Sequence, residues 1–147
     1  MRRYSVLTIV LVLLAGSGCS LSPRHQNAVF TTALKMEDTA SVYDLWVNLV
    51  VNSKEKTDSV VLFMKIFPPD EKTVSPDTLT VPINRNMVSS FSDGRIKTCL
   101  SFFSYDVRAL YRSGVRPLQS GLWKVVVESS SPVVNEVWMD AEKRDNK

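Results

Sequence analysis

The chain has 147 residues, with 18 lysines and arginines against 15 aspartates and glutamates, and a single histidine. That length fits one domain. The near balance of charge supplies no basic surface for nucleic acid, and one imidazole leaves little for histidine-based catalysis or metal binding.

The first segment has the order of an export signal. Arg2 and Arg3 give a positive start, Val6 to Ala15 is apolar except for Thr8, and Gly16-Ser17-Gly18 leads into Cys19. The apolar run is too short to span a bilayer, which needs about 20 residues. A cysteine directly after small residues resembles the lipobox of bacterial lipoproteins, although Gly16 stands where that family prefers leucine. The resemblance implies cleavage after Gly18, acyl chains on Cys19 and anchoring to a membrane. Ser20 in place of aspartate implies the outer membrane under the enterobacterial sorting scheme. An ordinary secretory signal containing a cysteine is the alternative. Cleavage removes Arg2 and Arg3, so the mature chain is close to neutral.

Residues 19–27 are polar with one proline and read as a tether; His25, the only histidine, lies there. Residues 28–141 then show the period-two alternation of half-buried strands. Val29 to Leu34 alternates weakly. Tyr43, Leu45, Val47, Leu49 and Val51 form one face of a strong strand, and Val60, Leu62, Met64 and Ile66 form another. Pro68 to Lys72 signals a turn. Pro76 and Pro82 each lack a ladder donor, which places Asp77 to Val81 at a sheet edge.

Asn84 to Gly94 is polar and reads as loop. Ile96 to Phe103 reads as a strand carrying Cys99, whose thiol has no partner if Cys19 is acylated and is expected to be buried as a small apolar group. Over Ser104 to Gly114 the period changes: Val107, Leu110 and Tyr111 sit at helical spacing, predicting a short helical turn capped by Ser104 and stopped by Gly114. Leu122 to Glu128 forms a strand with Trp123, Val125 and Val127 on the core face. Val133, Val137 and Met139 mark a last strand, and residues 142–147 a frayed charged tail. Seven or eight short strands at such intervals predict an all-β domain, a single β-sandwich of immunoglobulin-like or jelly-roll-like type.

Chemistry is sparse. Asp70-Glu71 and Asp140-Ala-Glu142 lack the glycine of a calcium loop, a spatial carboxylate pair would have little room for a long substrate cleft, and Ser129-Ser130-Ser131 reads as a loop. No catalytic residue, metal ligand, cofactor or small-molecule substrate is expected. Aromatics are the better clue. Trp46 and Trp138 fall in the polar register of their strands, among Asp44 and Asn48 and among Glu136 and Asp140, where they could anchor a protein interface; a covering segment, or for Trp138 a one-residue bulge, would instead bury them. Arg108, Arg112 and Arg116 would form a basic stripe if their segment were helical.

Several of these segments, in this order, resemble gliding-motility lipoproteins of the GldH type from Bacteroidota. Tyr43-Asp-Leu-Trp-Val-Asn-Leu-Val-Val-Asn52 is similar to their YxLxxxLRN strand, and Ser59 to Lys72 to their strand ending in a P-D/N-G-K turn. Asp77-Thr-Leu-Thr-Val-Pro82 is similar to DTLxxPL, Ser120 to Glu128 to SGxYxxxIE, and Val134-Asn-Glu-Val137 to the start of IxDVGLxIE. Val51, Glu71 and Trp138 depart from the arginine and two glycines of those motifs. The resemblance implies a non-enzymatic accessory protein of the gliding and type IX secretion machinery, held in the membrane by acyl chains on Cys19 and partnered by other envelope proteins. A lipoprotein of a type VI-like secretion complex and an envelope carbohydrate-binding domain are the alternatives.

Overall fold

A computed structural model describes residues 27–54, 56–83, 89–90, 95–100 and 103–144. The expected signal peptide, Cys19 and the tether through Gln26 lie outside the described residues, as do residues 145–147 and all of the expected 84–94 loop except Ser89 and Ser90. The described chain is all-β: β1 (Ala28–Met36), β2 (Tyr43–Asn52), β3 (Ser59–Phe67), β4 (Ser75–Pro82), β5 (Ser89–Ser90), β6 (Ile96–Leu100), β7 (Ser104–Val115), β8 (Gly121–Ser129) and β9 (Val134–Lys143). They form two antiparallel sheets, ordered β1-β8-β3-β4 and β5-β6-β7-β2-β9, which pack as a β-sandwich.

Alternation sets the packing. The Tyr43, Leu45, Val47, Leu49 and Val51 face of β2 is fully buried and shares one core with Val60, Leu62 and Met64 of β3 and Val125 and Val127 of β8. Each such side chain contributes about 1.5–3 kcal/mol on burial. The Tyr43 hydroxyl accepts N–H bonds from Glu37 (3.1 Å) and Asp38 (3.2 Å), which pins the crossover from β1 to β2. Asp38 itself is held down at a pKa of about 2 by the Ser41 hydroxyl, then by Lys143 and the Ser41 N–H.

The sheet edges are managed differently on the two sides. Edge strand β1 lies against edge strand β9, where the Met139 N–H reaches Thr32 Oγ1 at 3.5 Å. On the other side, β4 turns a nearly donorless edge outward. The Ile83 N–H donates inward to Asp58, so the even positions of β4 face away from β3. Two of those are Pro76 and Pro82, and the Thr78 N–H is taken by its neighbour Asp77 at 2.8 Å. An edge so depleted of donors resists pairing with another strand.

The segment expected to be helical is instead the longest strand, β7. Its period breaks because of a bulge: Leu45 pairs with Arg112 and Trp46 with Leu110, leaving Tyr111 as the extra residue. A bulge sets two residues against one and re-aims side chains. Tyr111 and Arg112 consequently both reach Asp77 of the opposite sheet, at 2.6 and 2.8 Å. The anticipated Arg108, Arg112 and Arg116 stripe therefore does not form, because Arg112 turns to Asp77 and Arg116 lies past the end of the strand. Two further expectations are corrected. Cys99 is exposed, since the register turns Thr98 inward and Cys99 out. Glu142 and Lys143 belong to β9 and do not fray, being paired with Asp44 and Tyr43.

Turn geometry completes the frame. The Glu71 N–H closes the Pro68 turn at 2.9 Å, and Glu71 has φ 51°, a left-handed conformation that costs a non-glycine residue roughly 1–2 kcal/mol. Glu71 is also where the resembling motif carries glycine. Gly121, with φ 123°, lies 3.4 Å from Pro69 at the position of an added Cβ, which ties this turn to the start of β8.

The Asp77 clamp has a pH signature. The Tyr111 hydroxyl, then Arg112 and the Thr78 N–H, hold the Asp77 carboxyl below its usual range. A lowered folded-state pKa gives stability that is complete above the unfolded value near 4 and is lost as pH falls through the folded value. Asp77→Asn should therefore cost about 1–2 kcal/mol at pH 7, with the gap to wild type narrowing below pH 4. Urea unfolding at pH 7 and pH 3 measures this; an equal gap at both would contradict it.

Candidate docking surface

The outer face of the five-stranded sheet brings the two sequence-predicted tryptophans together. Asn48 of β2 pairs with Trp138 of β9, and Trp46 pairs with Asp140, so the two rings are diagonal neighbours on one face. β9 does contain a bulge, where Val50 pairs with Glu136 but Val51 with Val134. It falls at Asn135, upstream of Trp138. Its effect is to turn Val134 inward together with Val137 and Met139, while Trp138 stays outward, 39 % exposed.

Trp46 is not free in the same way. The Arg108 guanidinium stacks 4.6 Å from its ring centroid, a cation–π contact. Arg108 is in turn paired with Glu142. Asn48, 7 % exposed, donates to Asp140 at 2.8 Å. Arg144 pairs with Asp44 at 2.9 Å and also bonds Ser113. Two buried donors on this face, Trp46 Nε1 and Arg108 Nε, have no partner among the described residues. Beside them, Asn48, Lys97, Cys99, Asp106, Arg108 and Trp138 line a shallow groove of about 250 Å³.

The face is therefore a cross-strand polar network with Trp138 as its one large exposed ring among the described residues. Three of its carboxylates, Asp44, Asp140 and Glu142, are bonded to arginine or asparagine. Among the described residues no three His, Cys, Asp or Glu side chains gather as metal ligands. Of the acidic groups singled out in the sequence, Asp70 accepts from Gln119 at 2.8 Å and Asp140 and Glu142 belong to this network. Trp123 sits as expected against the core, its N–H donating to the Gln119 carbonyl at 3.2 Å.

A second surface escaped the sequence reading. The outer face of the four-stranded sheet exposes Val29 (63 %), Phe63 (46 %) and Leu122 (63 %), with Val126 and Phe67 half-buried beside them. Val29, Phe63, Lys65, Pro76, Val126 and Glu128 border a concavity of about 430 Å³ there. The signal was present: Val60 to Met64 and Val125 to Val127 are apolar at every position. Unbroken apolar runs mark strands covered on both faces, whereas a strand with one wet face alternates.

Trp46→Ala removes a ring held under Arg108 and should cost about 2–3 kcal/mol. Trp138→Ala should cost less than about 1 kcal/mol, its ring being largely in water. Chemical unfolding of both variants tests the distinction, and equal losses would contradict it. Compared with known proteins, the chain matches no family model, no curated protein and no solved structure.

Proposed function

We propose that this chain is a lipid-anchored, non-catalytic docking protein of the bacterial cell envelope, working by protein–protein contact. The observation that carries the reading is the pairing of two features. A segment with the residue order of an export signal leads into Cys19, and the domain behind it bears solvent-facing apolar and aromatic side chains, Val29, Phe63, Leu122 and Trp138. Exposed patches of that kind mark interaction sites. Acyl chains on Cys19 would confine the domain to a membrane and raise its effective concentration near other envelope proteins. The resemblance of the β2, β3, β4, β8 and β9 segments to GldH-type lipoproteins directs this reading to the gliding and type IX secretion machinery of the outer membrane.

Metabolic labelling with palmitate should mark the wild-type protein and leave Cys19→Ala unmarked and released from the membrane fraction. Unlabelled wild type, or a Cys19→Ala variant that stays in the envelope, would refute the anchor. Capture of the labelled protein should co-purify gliding or type IX components; recovery of porins and peptidoglycan proteins alone would refute that assignment.

A further inference from the structure

We infer that the outer face of the four-stranded sheet docks a second copy of this chain, strand over like strand, about a two-fold axis through Thr31, Val126, Lys65 and Pro76. This deepens the docking reading above by naming the partner of one face.

The register across the sheet sets this pairing. Thr31, Val126, Lys65 and Pro76 form one row across the sheet. The row on one side reads Val29, Glu128, Phe63, Thr78. The row on the other reads Ala33, Lys124, Phe67. All of these positions lie on the outward-facing parity of their strands. A two-fold axis along the middle row exchanges the flanking rows between copies. Glu128 then faces Lys124 of the second copy, twice, and Phe63 faces Phe67 of the second copy, twice. Val29 meets Ala33, and Val126 meets itself at the centre. One face thus supplies both halves of a charge pair and both halves of an aromatic pair.

A shift of the axis by one row destroys this match. Centred on the Val29 row, Glu128 meets its own copy and Val126 meets position 130, a serine. Turning the axis parallel to the strands sets Glu128 against Phe63. The chosen axis leaves one like-charge contact, Lys65 against itself, and Lys65 lies one diagonal step from Glu128, within reach of a long side chain.

Size and geometry agree. Four strands about 4.8 Å apart and nine residues of about 3.3 Å give a face of roughly 19 by 30 Å. Two such faces cover somewhat over 1,000 Å², the lower range of specific interfaces. Sheets stack about 10 Å apart within about 30° of alignment. That span lets a lysine and a glutamate meet and two phenyl rings pack. Because the axis runs across the strands, both copies place β1 on the same edge of the pair. Both chains then enter at Ala28 from one side, as two anchors in one bilayer require.

The test is sedimentation of the full chain in detergent, alongside Glu128→Lys, Lys124→Glu, the two variants mixed, and both changes in one chain. Wild type should dimerise below about 100 µM. Each single variant should dissociate at least tenfold more readily. The mixture and the double variant should both recover, because residues 124 and 128 of one strand are too far apart to pair within a chain. A wild type monomeric at that concentration overturns the proposal and leaves the face to a different protein. A dimer indifferent to both reversals overturns it too. Cys19→Ala should leave dimerisation unchanged, so failure of the anchor and failure of this interface are read separately.

Discussion

A two-layer sandwich covers each of its sheets on one side only, and the two faces left over must be made acceptable to water or covered by something else. The two sheets of this domain answer that constraint in opposite ways. The five-stranded sheet spreads Arg108, Glu142, Asn48, Asp140, Asp44 and Arg144 across its outside in cross-strand pairs, and lays a guanidinium over Trp46. The four-stranded sheet leaves Val29, Phe63 and Leu122 in solvent, with a lysine or glutamate set among them. One core therefore carries one face built largely of paired polar groups and one whose apolar side chains lie open.

The interior that supports both faces is local alternation made three-dimensional, and it was legible for that reason. Burial of the alternate residues from Tyr43 to Val51 follows from period two alone, and the prolines of β4 announce an edge. What alternation cannot report is a bulge, because one extra residue reverses the parity beyond it. Tyr111 gives β7 a false helical period by this means, and the same device at Asn135 decides which of Val134 to Trp138 point inward. The exposure of Cys99 depends on which β7 residue it faces, a non-local fact.

Trp46 and Trp138 show how far register alone goes. Both lie in the outward parity that the sequence predicted, yet their exposure differs, because Arg108 arrives over Trp46 from a strand some 60 residues away in sequence. The apolar outer face of the four-stranded sheet carries the opposite signal, a lack of alternation. Strands β3 and β8 fail to alternate, and that failure, more than any motif, separates the uncovered sheet from the solvated one. Glu71 is a smaller instance: it closes its turn at positive φ, a conformation that its residue type does not announce.

The account turns on the claim that the apolar side of the four-stranded sheet is covered when the protein is in place. Carbene footprinting of the full chain in intact envelopes measures that directly, by comparing labelling at Phe63 and Val29 with labelling at Leu118, which is 92 % exposed at the tip of a turn. Phe63 and Val29 should be labelled several-fold less than their exposure in the single chain would give, while Leu118 is labelled fully. Labelling of all three in proportion to that exposure would contradict it.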